Sequence, residues 1–245
     1  MIKRVGAITR KLGSAAAVVA IVMLGAAGSA QAALTLGADL TQTANSFPCA
    51  SNAETCTNAN LTLPPGEQAS PAADGVVTSW KARINGTGPI SLQVLDPSIL
   101  MATGVSTSAT QNVTGTNVIV GPFPTRQPIR AGELIALKAT NATIAMSLPT
   151  TSASWLRWEP FLADGGAARA PDTGPLNNSF VVLVNAQVEP DADNDHFGDE
   201  TQDQCPTDAT TQGLCPSSAP PSKKKCKKRK RHAAPAAKKC KKHRK

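Results

Sequence analysis

Five aspartates between residues 191 and 203 carry the clearest chemistry in this 245-residue chain. Asp191, Asp193 and Asp195 stand two apart, Asp199 follows, and Asp203 comes four residues later. Carboxylates at alternate positions of a short loop converge their oxygens. A hard dication such as Ca²⁺ takes six to eight oxygen ligands from a loop of this kind. The set predicts a calcium site to which Asp191, Asp193 and Asp195 supply three of those oxygens. The alternative is an acidic, solvated linker without metal.

The run Asp191-Ala-Asp-Asn-Asp-His-Phe-Gly-Asp through Cys205-Pro206 resembles a thrombospondin type 3 repeat. The resemblance implies that Phe197 offers its backbone carbonyl at the seventh position and that Asp199 binds directly or through water. Two departures stand out. His196 occupies the sixth position, usually glycine, where the loop turns sharply. The closing acid, Asp203, falls at the thirteenth position rather than the twelfth, with Glu200 as a substitute. Both departures imply binding weaker than that of a full repeat, and there is one motif rather than a tandem array.

Something must position this loop, and the preceding residues read as all-β. Short β-prone runs at Val76–Ile84, Ile90–Leu95, Asn117–Val120, Leu134–Ala139, Thr143–Leu148, Ser154–Trp158 and Ser179–Val188 are separated by Gly, Pro, Ser, Thr and Asn. No helical 3.6-residue stripe competes with them. In the first run Val76, Trp80, Ala82 and Ile84 point one way, and Ser79, Lys81 and Arg83 the other. One apolar face per strand is what two packed sheets require. The expected fold of residues 34–188 is a single β-sandwich, jelly-roll-like, with Leu63–Gly66 and Gly121–Pro124 as long Pro-rich connectors. Trp80, Trp155 and Trp158 are candidates for a sugar-binding platform against the alternative of core, which Trp80 suits. Trp155 and Trp158, three apart, face opposite sides of a regular strand, so that one is either exposed or at a strand end.

The ends of the chain differ in kind. Residues 1–33 read as a secretory signal peptide: Lys3, Arg4, Arg10 and Lys11, an apolar run over 15–27, then Ala30-Gln31-Ala32 before a cut near Ala32 or Ala33. Residues 189–216 form an acidic, calcium-binding segment, and 217–245 a linker and a basic low-complexity tail, expected to be disordered. The net charge of +8 conceals this division. Residues 223–245 carry 14 Lys/Arg and no acid, whereas residues 34–222 hold seven Lys/Arg against 17 Asp/Glu. The arrangement of leader, β-domain, aspartate motif and Lys-rich tail also resembles secreted actinobacterial-type proteins, which implies architecture rather than activity.

Export makes disulfides the expected state of the six cysteines. The local-first pairing is Cys49–Cys56, Cys205–Cys215 and Cys226–Cys240, one of 15 possible connectivities. The tail has no aromatic residue to stack bases, so specific nucleic-acid binding is not expected. Anionic envelope polymer or lipid headgroups suit it better. All three histidines (His196, His232, His243) lie outside the β-domain, so a His-dependent triad or zinc site is unavailable there. Glu133, Glu159, Asp164 and Asp172 could pair for glycan hydrolysis, but their spacing carries no signal. The sequence therefore favours a secreted, non-enzymatic, calcium-binding surface protein that is not integral to the membrane. A carbohydrate-binding module, or a carboxylate-pair hydrolase, is the alternative.

Overall fold

The computed structural model describes residues 32–49, 55–99, 101–140, 143–147, 152–173 and 180–217. Residues 1–31 and 218–245 lie outside them, and with them most of the expected leader, the expected basic tail and the expected Cys226–Cys240 pairing.

Every regular element among the described residues is a strand. In chain order they are β1 (Leu34–Gly37), β2 (Ala44–Pro48), β3 (Thr55–Thr62), β4 (Gly75–Ser98), β5 (Met101–Thr107), β6 (Gln111–Ile129), β7 (Leu134–Thr140), β8 (Thr143–Ser147), β9 (Ser154–Trp158), β10 (Val181–Val182) and β11 (Val184–Glu189). All pairings between them are antiparallel. The main path runs β1-β11-β4-β7-β3-β9.

The 24-residue β4 organises the rest. Its first part pairs with β11 and β6, and its last part with β7 and β5. The sequence reads as two strands here, because Asn85-Gly86-Thr87-Gly88-Pro89 looks like a break. The backbone instead stays extended, and the glycines let the long strand bend so that the sheet curls. A bulge opposite β6 between Ile84 and Gly86, and Gly88 at φ 152°, mark the bend.

The stretch Gly121–Pro124 is likewise strand, not connector. Pro124 sits opposite Ser79 and Pro128 opposite Val76. Proline fits because β6 pairs with β4 alone among the described residues, and an edge strand needs ladder donors on one side only.

The curl brings both parts of β4 onto one core. Leu36, Val77, Trp80, Ala82 and Ile84 pack in the same cluster as Ile90, Leu92, Val94, Leu137 and Trp155. Val77, rather than the expected Val76, joins Trp80. Register shifts between Val77 and Ser79 against β6, and at Gln187/Val188 against β11, reset the alternation. Val76 and Thr78 thereby face the other way, toward the segment that follows β11.

Trp155 and Trp158 do face opposite sides, yet neither is exposed. Trp155 meets Phe47 edge-on at 5.6 Å in the main core. Trp158 lies in a second cluster with Leu95, Leu134 and Leu162, its Nε1 donating to the carbonyl of Arg169 at 3.1 Å. The loop after β9 covers the sheet face that alternation would have left to water. The disulfide Cys49–Cys56 ties the end of β2 to β3. Among the described residues no helix is long and apolar enough to cross a membrane.

Candidate metal centre

Local side-chain chemistry folds the aspartate loop. β11 ends at Glu189, and within six residues the chain has turned back on itself. The Asp191 carboxylate accepts the amides of Asp195 and His196, both at 3.0 Å. Asp195 accepts the amide of Phe197 at 2.8 Å. Such bonds replace a backbone ladder where none is available. The turn passes through two left-handed residues, Asn194 at φ 62° and His196 at φ 69°. Asparagine and histidine are among the non-glycine types that enter this region most readily. His196 thus takes the conformation for which glycine is usual.

The turns converge the acids. One carboxylate oxygen from each of Asp191, Asp193 and Asp195 lies within 4.8 Å of the others. Asp203 is almost fully buried. Its Oδ1 accepts the amide of Cys205 at 2.8 Å, while Oδ2 is buried without a hydrogen-bond partner, as is Oδ2 of Asp193. Burial pushes the Asp193 carboxyl above its ordinary range, and the charges of Asp195, Asp203 and Asp191 push it further. The Asp199 carboxyl is raised in the same way, first by burial and then by Asp191, Asp193 and Asp203. The five aspartates therefore lie close enough for their charges to act on Asp193 and Asp199.

That donor set fits a calcium ion. Oxygens 2.3–2.6 Å from a shared centre lie at most about 5 Å apart, the spacing of the triad. Two buried carboxylate oxygens with no partner are the groups a cation would satisfy. The group offers carboxylate oxygens, and Cys205 and Cys215 are joined in a disulfide, so the donors suit a hard dication better than a thiophilic one. Phe197, whose carbonyl the resemblance makes a ligand, has its ring stacked under Arg126 at 4.0 Å, which anchors that backbone. Glu200, the proposed substitute for Asp203, directs Oε1 to the amide nitrogen of Ala33 at 2.7 Å.

Glu189 escapes the sequence reading. It is buried at the root of the loop and accepts four hydrogen bonds: Thr78 Oγ1 at 3.0 Å, the amides of Glu200 (3.0 Å) and Thr201 (2.9 Å), and Thr201 Oγ1 at 2.7 Å. Gln202 adds a bond to the carbonyl of Thr125 at 2.8 Å. Gln212 reaches back to Asp195 Oδ2 at 2.8 Å, in the loop that Cys205–Cys215 closes. The acidic segment is thus docked on β4 and β6. No sequence periodicity marks Glu189; the signal available is a lone acid ending an alternating strand just before proline.

Comparison with known proteins finds no matching family model, no similar curated protein and no similar solved structure. The chemistry of the site therefore has to be argued from its own residues.

The four carboxylates weighed for glycan hydrolysis are each engaged in the fold. Glu133 caps the amide of Arg130, Glu159 pairs with Arg157 at 2.9 Å, and Asp172 accepts the amide of Glu159. Asp164 holds Gln93 and Thr107, both at 2.7 Å. Beside that network lies a cleft of about 320 Å³ lined by Ser91, Thr107, Thr110, Thr140, Lys138 and Phe161. The Lys138 ammonium rests 3.8 Å above the Phe161 ring.

Proposed function

We propose that this is a secreted, non-enzymatic, calcium-binding surface protein of adhesion type. The curled sheet serves as a jelly-roll-like β-sandwich presented outward, and the aspartate segment is its calcium collar. The polybasic tail docks the whole on anionic envelope polymer or lipid headgroups. One observation carries the calcium reading: one carboxylate oxygen from each of Asp191, Asp193 and Asp195 lies within 4.8 Å of the others. Side chains of all five aspartates and the Phe197 carbonyl make the ligand set. The two disulfides among the described residues suit an oxidising compartment. Extracellular calcium is abundant enough to fill a site of ~10⁻⁴–10⁻³ M affinity. Calorimetry on the mature protein should show one calcium site, lost in the Asp193→Ala/Asp195→Ala double variant. Folded protein that gives no heat at several millimolar calcium refutes the reading.

A second reading, carbohydrate binding, is favoured by the Lys138 cleft. Four hydroxyl side chains beside one cation suit a sugar bearing a carboxylate, and the cleft is of ligand size. Binding of a uronic-acid oligosaccharide that disappears in Lys138→Ala supports it; no binding at millimolar oligosaccharide removes it.

A further inference from the structure

The contact between Ala33 and Glu200 joins the start of the β-domain to the collar across 167 residues. Topology makes them neighbours. β1 lies antiparallel to β11 with Leu34 opposite Val188, so the chain entering β1 and the chain leaving β11 share one end of the sheet. Ala33 therefore emerges beside Glu189 and the turn that follows. Its amide donates to Glu200 Oε1 at 2.7 Å, a short charge-assisted hydrogen bond. Ala32 and Ala33 are both exposed, so the bond between them is open to a protease. That bond directly follows Ala30-Gln31-Ala32, the small-x-small pattern recognised by leader peptidases.

We infer that the Ala32–Ala33 bond is the processing site, and that the α-ammonium it frees is the partner for which Glu200 is placed. The inference rests on the export reading above. A leader peptidase adds water across the peptide bond: Ala32 leaves with a carboxylate, and the Ala33 nitrogen gains protons to become an ammonium. Before cleavage that nitrogen offers Glu200 one neutral N–H. Afterwards it offers three donors and a positive charge at the same place. The mature N-terminus then latches the collar against the sheet, from the side opposite the contacts made by Gln202 and Arg126. Removal of the leader and fastening of the calcium segment become one event.

Two measurements test this. The intact mass of protein recovered from the exporting host should correspond to a chain beginning at Ala33. A full mature chain with a free Ala33 amine is then compared with one carrying a Gly-Ser extension before Ala33, each with native Glu200 and with Glu200→Gln. Amide exchange at Glu200 and Thr201 should quicken several-fold on extension when Glu200 is native, and should not respond to extension in Glu200→Gln. Such non-additivity is the signature of a direct pair. A chain left uncleaved overturns the export reading and the inference together, and one beginning elsewhere overturns the processing site. A chain beginning at Ala33 whose exchange ignores the extension overturns the latch while leaving export and calcium binding intact.

Discussion

The β-domain and the acidic collar are held by different physics. The domain rests on backbone ladders and on apolar burial shared by residues distant in sequence, as where Leu36, Trp80 and Leu137 meet. The collar, residues 189–216, contains no regular strand beyond its first residue. Its shape comes from aspartates bonding amides two to five residues away, from one disulfide, and from the buried Glu189. A ladder satisfies itself. The collar turns the carboxylates of Asp191, Asp193 and Asp195 toward each other with no ladder beneath them. The difference separates stability that comes from burial from stability that, on the proposed reading, a cation would add.

The largest effect should come from the intrinsic side. Trp80 is buried against Phe123 with ring centroids 4.8 Å apart. Trp80→Ala should lower stability by about 3–5 kcal/mol in urea unfolding, with or without calcium. Next comes the borrowed side. At a calcium concentration 100 times the dissociation constant, the native protein should gain about 2.7 kcal/mol, and the Asp193→Ala/Asp195→Ala variant nothing. If both respond equally to calcium, the two regions do not differ as described.

Glu189 joins the regions. Glu189→Gln weakens four hydrogen bonds to a charged acceptor and should cost about 1.5 kcal/mol. The loss should be seen as faster exchange of the amides of residues 199–203, with those of β7 unchanged. Uniform acceleration would instead make Glu189 a core residue of the domain.

Acidification gives a smaller, signed test. Asp193 and Asp199 have carboxyls raised above their ordinary value of 3.8. Such groups bind protons more tightly in the folded state. Calcium-free stability should therefore rise as pH falls from neutral through their folded values, and fall again as pH is raised. Glu67, raised by burial from 4.5, acts with the same sign. Asp39 and Asp208, lowered by bonds from Thr41 and Thr210, act oppositely, but in the region below 3.8. Calcium affinity should weaken over the window in which the calcium-free protein gains. Thermal melts with chelator and with calcium, from pH 7 to 4.5, check both trends. The smallest effect belongs to the tail: deleting residues 223–245 should leave the melting temperature unchanged while abolishing retention on a polyanion at low salt.

The two regions were unequally legible in the sequence. The collar's chemistry is local, so spacing marks Asp191, Asp193 and Asp195, the local-first rule pairs Cys205 with Cys215, and the resemblance to a type 3 repeat marks the sharp turn at His196. Glu189 was missed because its partners, Thr78 and the 200–201 amides, are assembled only by the fold. In the domain, alternation located Leu134–Ala139 and Ser154–Trp158 closely and gave the all-β class. Alternation divides β4 and makes Gly121–Pro124 a connector, because glycine and proline mark breaks in sequence where the fold uses them for a bend and an edge. β1, β2, β3 and β5 are short or polar, and pairing rather than propensity makes them strands.

The prolines of β6 have a consequence for how molecules meet. A free strand edge invites another chain to add to it, and a 19-residue edge is a long invitation. Pro122, Pro124 and Pro128 withhold the N–H groups an incoming strand would need, and Gln202 of the collar covers the carbonyl of Thr125 between them. The aspartate segment therefore also shields a stretch of sheet from self-association, and a protein stripped of its collar would present that stretch to its neighbours.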